Sequence, residues 1–415
     1  MREMKQSGIN YIGDIPSSWS VAKYKHFSQS RMGETILATD LVDNGIPVYS
    51  ATNDNDIFGF VVDAKVLLGE GDLVVPARGN SVGFMKYVEH KKATCTQTTI
   101  CSYNIHDISR KYLYYCSYAF KEDWYKYDGS AIPQVTVEQL KNNYLSYPSL
   151  SEQESIAKCL DYVCSKIETI VSKQTGIIEK LKEYKCSLIT EIVTKGLNPN
   201  TEMIESGIEW IGLIPANWSV YRVANLYDQT NEKGSEELPI LTVSINSGIS
   251  DRELDDDEQD RVFARSEDRT KYKRVAPGDL AYNMMRAWQG AFGAVRVDGM
   301  VSPAYITCRP KAGVDIDTRY IEYLFRSPMA IEEMHRHSHG VADFRLRLYW
   351  PEFKNIKLCL PPIDEQSKIA DHIDKVSAAI DTEINRIQLT VNKLNDYKKS
   401  LIYEIVTGKK EVCSL

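Results

Sequence analysis

Two segments of the chain end an apolar run in arginine and amide side chains that stand beside glycines. The first run occupies residues 71–77 and the second occupies residues 278–285. Guanidinium and carboxamide groups are planar donors that match the edges of DNA bases, and nearby glycines let the backbone approach phosphates. Both segments therefore predict contacts with nucleic acid, with an ordinary charged surface turn as the alternative. The candidate residues are Arg78, Asn80 and Lys86 in the first segment and Arg286 and Gln289 in the second.

Further candidates lie in two loops and in one basic stretch. The loops 129–134 and 340–347 stand at corresponding points of the two halves, and residues 265–274 contain the densest group of cations. For the basic stretch, a phosphate contact and a solvated face are both consistent with the sequence. The candidate DNA-binding residues in these regions are Gln134, Lys271, Arg274, Arg345 and Arg347, beside Arg265, Arg269 and Lys273.

Motifs for catalysis and for metal binding are weak or missing. His335, His337 and His339 are close together and could ligate a metal ion. Arg336 lies among them, however, and no carboxylate or thiol is evident as a further ligand, so solvated or phosphate-facing imidazoles are favoured over a metal site. The acidic residues 251–260 lack the spacing and central glycine of a calcium loop. The sequence contains no phosphate-binding loop, zinc-protease motif, nucleophile elbow or glycine-rich nucleotide fingerprint. The chain also lacks the Asn/Asp-Pro-Pro-aromatic tetrapeptide of an amino-methyltransferase. We therefore expect a binding protein without metal or cofactor.

The elements that must position these side chains are duplicated. Residues 7–21 return as residues 206–220 with 10 identities in 15, and residues 179–194 return as residues 392–407 with 11 identities in 16. Between the repeats the two halves barely resemble each other. A repeated scaffold that carries two divergent modules is suited to bind two different targets.

A long helix closes each half. In the first, apolar residues recur by fours and threes, which is the coiled-coil period, and Ser151 with Glu154 forms a capping box while Gly196 marks the end. In the second, Asp364 is the expected cap and Gly408 the end. The predicted seam positions are Ile156, Leu160, Val163, Ile167, Leu181 and Leu188 in the first helix, with Ile170, Ile177 and Tyr184 between them, and Ile369, Ile373, Ile380, Leu394 and Leu401 in the second.

Neither helix can bury its apolar stripe alone. Because a module separates them in sequence, the expected solution is an antiparallel coiled coil with pseudo-two-fold symmetry, and pairing with another subunit is the alternative. The predicted fold is mixed α/β, with modules at residues 1–150 and 201–362 and helices at residues 151–200 and 363–415. Short β-rich runs at residues 72–75 and 240–244 and helices at 112–120 and 319–325 support this class.

Composition limits the function classes. The 415 residues exceed the usual size of one core, 43% hydrophobic content is ordinary for a globular protein, and no apolar run is long enough for a membrane helix. Nine cysteines without a CxxC pair indicate free thiols in a reducing compartment, so a soluble protein of the cytoplasm is expected. A net charge of −7 argues against indiscriminate coating of nucleic acid, although local basic clefts are compatible with it.

These motifs resemble a known family. The openings Ser-Gly-Ile-x-aromatic-Ile-Gly-x-Ile-Pro-x-x-Trp, the helix entry Pro-Pro-x-x-Glu-Gln-x-x-Ile-Ala and the closing Ser-Leu-Ile-x-Glu-Ile-Val-Thr are similar to those of the specificity subunit of type I restriction–modification systems. The resemblance covers essentially the whole chain with both copies in order. One departure is the first helix entry, where Tyr147-Pro148-Ser149 carries a single proline.

The resemblance implies a non-catalytic subunit of a larger complex. Each module would be a target-recognition domain that binds one half of a split double-stranded DNA sequence, with the helices as spacer. Two methyltransferase subunits, which bind S-adenosylmethionine and methylate adenine, would dock on the repeated regions. Endonuclease subunits, which use ATP and Mg, would cut unmodified DNA. No membrane association is implied.

Two interpretations from other classes compete with this one. A fused enzyme that methylates or cuts DNA alone is disfavoured by the missing motifs. A coiled-coil scaffold that does not bind DNA is disfavoured by the size and divergence of the modules.

Overall fold

The computed structural model describes residues 2–125, 134–245, 247–254, 271–340 and 345–412. The chain divides into two compact units. Unit 1 comprises Met1–Thr175 with Gln388–Leu415, and unit 2 comprises Gly176–Ile387. The division falls within both long helices, so each unit contains a segment of each helix. The module boundaries proposed from the sequence stay predictions.

Unit 1 is built from short strands and a few helices. The strands are Met4–Gln6 (β1), Asp14–Pro16 (β2), Ser20–Lys23 (β3), Gln29–Met32 (β4), Ile46–Tyr49 (β5), Ile57–Val61 (β6), Leu73–Pro76 (β7), Lys86–Tyr87 (β8), Thr94–Cys95 (β9), Thr99–Tyr103 (β10) and Tyr144–Tyr147 (β11). One sheet has the strand order β4-β10-β7-β8 and another has the order β6-β5-β9. Two antiparallel pairs join β1 to β2 and β3 to β11. The short helices are Arg110–Ala119 (α1), Lys121–Trp124 (α2) and Val137–Asn142 (α3).

Unit 2 repeats the main part of this topology. The order β15-β22-β19-β20 matches β4-β10-β7-β8, and the pairs β12-β13 and β14-β23 match β1-β2 and β3-β11. The strands are Met203–Glu205 (β12), Leu213–Pro215 (β13), Ser219–Arg222 (β14), Tyr227–Thr230 (β15), Val243–Ser244 (β16), Gly248–Ile249 (β17), Lys273–Val275 (β18), Leu280–Asn283 (β19), Phe292–Ala294 (β20), Gly299–Val301 (β21), Tyr305–Pro310 (β22) and Lys357–Leu360 (β23). The short helices of unit 2 are Val223–Leu226 (α5), Thr318–Phe325 (α6), Pro328–Arg336 (α7) and Trp350–Phe353 (α8).

The two units differ where their sequences diverge. Unit 1 has the sheet β6-β5-β9, in which β5 and β9 run parallel, whereas unit 2 has the antiparallel pairs β16-β17 and β18-β21. The mixed α/β class and the duplicated organisation are thereby confirmed. The strand predicted at residues 240–244 is limited to Val243–Ser244.

The two long helices are α4 (Leu150–Lys195) and α9 (Ile363–Val406). Each ends before a glycine in the left-handed region, at Gly196 with φ +77° and at Gly408 with φ +71°, as predicted. Both predicted N-terminal caps are wrong by two residues. Ser151 and Asp364 already lie in the first turn, because the carbonyls of Ser149 and Pro362 accept the first helical hydrogen bonds.

The buried stripe of α4 is displaced by one residue from the predicted seam. Ile156, Leu160 and Ile167 are buried as predicted, and Val163, Leu181 and Leu188 are half-buried. Beyond Cys164 the stripe passes through Val171 and Ile178, which leaves the predicted seam residues Ile170, Ile177 and Tyr184 exposed. Cys164, Val171 and Ile178 still repeat every seven residues, so one of the two predicted sets of positions is displaced by one residue while the set of Leu160, Ile167 and Leu181 is kept.

The seam of α9 follows the prediction more closely. Ile369, Ile373, Ile380 and Leu401 are buried, and Leu394 is half-buried. In unit 1 the first turns of α4 share a core with the last turns of α9, and Glu168 pairs with Lys398 at 2.6 Å. In unit 2 the last turns of α4 share a core with the first turns of α9, and Lys185 pairs with Asp381 at 2.7 Å. Within each unit the helix segments are therefore antiparallel partners of the same chain.

Both units close their cores over the helix ends. In unit 1 the hydroxyl groups of Tyr112 and Ser146 donate to the carbonyl of Val406 at 3.1 and 3.0 Å. In unit 2 the hydroxyl of Tyr320 donates to the carbonyl of Val193 at 2.9 Å. The cysteines of the described residues are free, as predicted. Across those residues, no helix has the length and apolar character needed to cross a membrane.

Candidate nucleic-acid interface

The predicted strand and turn of unit 1 are present. β7 is fully buried and ends at Pro76, after which the chain turns so that Arg78 and Asn80 are exposed. The amide of Gly83 donates to the carbonyl of Pro76 at 3.1 Å, and Gly79 adopts φ +86°, a conformation that favours glycine. The turn therefore holds an arginine and an asparagine outward at the end of a rigid strand.

A segment distant in sequence pairs with this turn. The amide of Val135 donates to the carbonyl of Ala77 at 2.9 Å, and Arg78 and Gln134 face each other in an antiparallel bridge. Gln134 is exposed, and Thr136 next to it caps α3 through the amide of Gln139. The structure thus brings together two predicted residues that are far apart in the sequence.

Lys86 has a different environment from the one predicted. The residue is buried, and its ammonium donates to the hydroxyl of Thr52 at 2.5 Å. Burial lowers the pKa of Lys86, while the neighbouring carboxylates of Asp54 and Asp56 oppose this shift. In this position the side chain fastens the loop of residues 51–56 to β8 and is not available at the surface, which argues against a direct DNA contact.

The corresponding turn of unit 2 follows β19. Asn283 is buried and its side-chain oxygen accepts from the amide of Met285 at 3.0 Å, while Trp288 Nε1 donates to the carbonyl of Met285, also at 3.0 Å. A 3-10 turn, Ala287–Gln289, follows and ends at Gly290 with φ +90°. Arg286 and Gln289 are half-buried within this turn.

Here too a distant segment meets the turn. The amide of Leu348 donates to the carbonyl of Met284 at 2.9 Å, the same arrangement as Val135 and Ala77 in unit 1. Arg347, which precedes Leu348, is exposed and its backbone is bonded in both directions to His339. The predicted residues Arg286, Gln289 and Arg347 therefore belong to one region of unit 2.

The remaining predicted residues are more scattered. Arg345 is exposed close to Arg347, and Lys271 is exposed before β18. Arg274 lies on β18, in another sheet, and makes an exposed ion pair with Asp298 at 3.6 Å. Arg265 and Arg269 lie outside the described residues, as does most of the acidic stretch 251–260.

The three histidines have separate neighbours. His335 packs edge-on against Trp288 with ring centroids 5.8 Å apart, His337 lies 3.2 Å from Glu333, and His339 lies 3.9 Å from Glu352. In the described part of the chain, no group of three or more potential metal ligands converges.

The buried carboxylate of Asp279 has its charge partner within unit 2. Arg309 contacts both carboxylate oxygens of Asp279 at 2.9 Å and also pairs with Glu232, and these hydrogen bonds raise the pKa of Arg309 above its usual value. The arginines at the turns differ. No hydrogen-bond or ion-pair partner is present for the guanidinium groups of Arg78 and Arg347 among the described residues.

Met285 is a feature of the site that the sequence did not single out. It lies at the position that Arg78 occupies in unit 1 and is 40% exposed. A methionine beside an apolar strand carries no sequence signal for a contact, because only the fold shows that the strand has ended and that the side chain faces solvent.

Comparison with known proteins gives consistent matches. The family model described as "Type I restriction modification DNA specificity domain" matches residues 16–182 and again residues 226–391. The MjaVIII type I restriction enzyme specificity subunit of Methanocaldococcus jannaschii is 23% identical over 97% of this chain and 95% of its own. The EcoBI specificity subunit of Escherichia coli is 22% identical over 67% of this chain and 60% of its own.

A solved structure is also similar. A chain from a study of complex assembly and conformational transition of the type I R-M system matches with a TM-score of 0.67 at 12% identity, covering 95% of this chain and 99% of the other. At this identity the match supports the fold. The duplicated topology of the two units is therefore found in a known protein architecture.

Proposed function

Because the chain belongs to the type I restriction–modification DNA specificity family, we propose that it selects the DNA sequence at which partner subunits methylate and cleave. The relatives are named specificity subunits of type I restriction enzymes, and we infer the same non-catalytic role for this chain, in agreement with the expectation from its sequence. We further propose that the target is a split DNA sequence and that the chain acts in a complex with methyltransferase and endonuclease subunits.

One observation carries the proposal. Each unit holds the same backbone arrangement, a strand end hydrogen-bonded to a distant segment, but places different side chains on it. Unit 1 presents Arg78 and Gln134, and unit 2 presents Met285 and Arg347. A conserved geometry with unlike polar and apolar groups suits two modules that bind two unlike half-sites of a split target.

The long helices are the proposed spacer between the half-sites. α4 is one continuous helix of 46 residues, and each residue adds about 1.5 Å along its axis. A helix paired along both units is stiffer than a loop, so a change in its length is expected to alter the gap and not the half-sites.

The same helices offer a surface for methyltransferase subunits. On α4, Tyr162, Ile170, Ile177 and Tyr184 are between 43% and 57% exposed. Tyr162 and Ile170 in unit 1 are eight residues apart, and Ile177 and Tyr184 in unit 2 are seven apart. Each two therefore lie on one face of their helix segment, since 3.6 residues make a turn. Exposed large apolar residues in a row mark interaction surfaces, and we assign this one to the methyltransferase, which would bring S-adenosylmethionine. Endonuclease subunits that use ATP and Mg would complete the complex.

The test is single-molecule methylome sequencing of cells that co-express the chain with its methyltransferase, compared with cells without the chain. The expected result is a split motif with methylated adenine that is present only with the chain. Arg78→Ala, Arg286→Ala and Arg345→Ala are expected to reduce or broaden methylation at single base positions, since a bidentate arginine contributes about 1–3 kcal/mol of discrimination.

Lys5→Ala is the matched control, because Lys5 is an exposed cation on β1, in the repeated scaffold. It is expected to leave the motif unchanged. Methylation of the same motif in cells that lack the chain would refute the proposed function. An unchanged motif in all three arginine variants would refute only the residue assignment.

A further inference from the structure

The pairs Arg78–Gln134 and Met285–Arg347 occupy equivalent places. In unit 1, Val135 donates to Ala77, so the residues just outside this bond, Arg78 and Gln134, stand opposite each other. In unit 2, Leu348 donates to Met284 at the same distance of 2.9 Å. Met285 therefore corresponds to Arg78, and Arg347 corresponds to Gln134.

These side chains are available for a ligand. Arg78, Gln134 and Arg347 are exposed, and Met285 is 40% exposed although its backbone is fixed on both sides by Asn283 and Trp288. The backbone is held, and the side chains have no partner of their own within the described ranges. A fixed backbone that carries side chains without a partner in the chain is the arrangement that recognition of a ligand requires.

The dimensions also suit neighbouring base pairs. Residues opposite each other in an antiparallel bridge have Cβ atoms about 4.5–5.5 Å apart and point to the same side. Successive base pairs of B-DNA are about 3.4 Å apart along each strand. Arg78 and Gln134, which start from such a bridge in unit 1, can therefore reach the edges of adjacent base pairs. In unit 2 the bridge of Arg347 is with His339, and the segments of Met285 and Arg347 are joined by the hydrogen bond from the amide of Leu348 to the carbonyl of Met284.

We propose, on the basis of the proposed function, that these two pairs are among the positions that determine which bases are read in each half-site. In the first half-site Arg78 binds the O6 and N7 acceptors of a guanine, and Gln134 binds N6 and N7 of an adjacent adenine. In the second half-site Arg347 binds a guanine, and Met285 contacts the methyl group of an adjacent thymine. Each assignment follows from the donors, acceptors or apolar surface that the side chain offers in the major groove.

The experiment exchanges the side chains between the units in the complex with the methyltransferase. Arg78→Met and Gln134→Arg convert the pair of unit 1 into that of unit 2, and Met285→Arg and Arg347→Gln do the reverse. Each complex methylates a library of duplexes with randomised half-sites, and the methylated products are sequenced. In each variant the half-site of the unmodified unit is the internal control.

The expected result is specific to one half-site. Arg78→Met should lower the preference for guanine at one position by about 5- to 150-fold, and Gln134→Arg should exchange adenine for guanine at its neighbour. Arg78→Lys keeps the charge but not the planar fork, so it should weaken the guanine preference while retaining salt-dependent binding.

Three outcomes would overturn the assignment. Unchanged base preferences with normal methylation would show that other residues read the half-sites. A uniform loss over all sequences would show that the side chains contact phosphates. A change in the half-site of the other unit would contradict the pairing of unit with half-site. Methylation that does not depend on the chain at all would instead refute the proposed function.

Discussion

Two adjacent isoleucines of α4 offer a test of which face of the helix is buried. Ile178 is 4% exposed, whereas Ile177 is 43% exposed, and both lie in unit 2. Replacement of either by alanine gives the same gain in helix propensity, at most about 0.7 kcal/mol, which cancels when the two variants are compared. The comparison therefore isolates burial.

The magnitudes follow from the exposures. Ile178→Ala removes a buried side chain, and such changes destabilise by about 2–5 kcal/mol. Ile177→Ala removes a side chain whose full burial would contribute about 1.5–3 kcal/mol and of which nearly half is already in water, so its loss is roughly 1 kcal/mol before the gain in propensity. We expect the free energies of unfolding of the two variants to differ by about 2–3 kcal/mol.

Thermal unfolding of the purified chain measures this difference. For a unit of about 200 residues, it corresponds to a melting temperature about 4–12 °C lower for Ile178→Ala than for Ile177→Ala. Ile177→Ala is expected instead to weaken co-purification with the methyltransferase. Equal melting temperatures for the two variants would refute the assigned face, and a lower one for Ile177→Ala would favour the seam predicted from the sequence.

Three further predictions concern the helices and unit 2. Gly176→Ala places a methyl group where no atom lies within 4 Å, so the variant is expected to be more stable by roughly 0.5–1 kcal/mol, measured as a higher melting temperature. A lower melting temperature would show that α4 requires glycine at this position. Insertion of four residues after Gln174, about one turn or 6 Å, should lengthen the unread gap of the methylated motif by about two base pairs, and a loss of either half-site sequence would show that α4 does more than set the spacing. Arg319 contacts Asp317 and Asp371 at 2.7 Å and Asp374 at 3.2 Å, and although burial raises the pKa of Asp317, the hydrogen bonds and charge of Arg319 outweigh it and hold that pKa below its usual value. A carboxyl group with a lowered pKa stabilises the fold above about pH 4, and this contribution is lost as the pH falls through the lowered pKa. Arg319→Gln should therefore reduce the free energy of unfolding, measured with urea, by roughly 1–2 kcal/mol at pH 7 and by progressively less below pH 4, and a loss independent of pH would contradict this reasoning. The control is Lys182→Gln, which breaks the exposed ion pair with Glu179 and should have little effect.

The helices could be predicted from the sequence to within two residues, because their signals are local. The apolar period identifies the helix, and Gly196 and Gly408 end it by taking a backbone conformation that other residues avoid. The face of the helix was less accessible. Ile170 and Ile177 look like core residues by type, and only the packing of unit 1 and of unit 2 shows that they are exposed, whereas Val171 is half-buried and Ile178 is buried in their place.

Members of the candidate site could be predicted from the sequence where their residue type marks them. They could not be predicted where only the exposure of the side chain in the fold decides. Arg78, Gln134 and Arg347 carry donors and stand beside turns, so the sequence marks them. Lys86 was expected at the surface because a lysine is usually solvated, whereas here the hydroxyl of Thr52 and two nearby carboxylates accommodate it in the interior. Met285 was missed for the opposite reason, since a methionine is usually buried and this one is exposed.

The discontinuity of unit 1 has a consequence for how the chain is made. Its core contains Leu401, Ile402, Ile405 and Val406, and the carbonyl of Val406 accepts hydrogen bonds from Tyr112 and Ser146. Unit 2 is continuous, so a ribosome finishes it before it supplies these residues. At a translation rate of about 5–20 residues per second, unit 1 lacks its last helical turns for roughly 10–50 s after its first segment has been synthesised. A nonsense codon between positions 388 and 400 would therefore remove core residues from the unit that is translated first and leave the unit that is translated second intact.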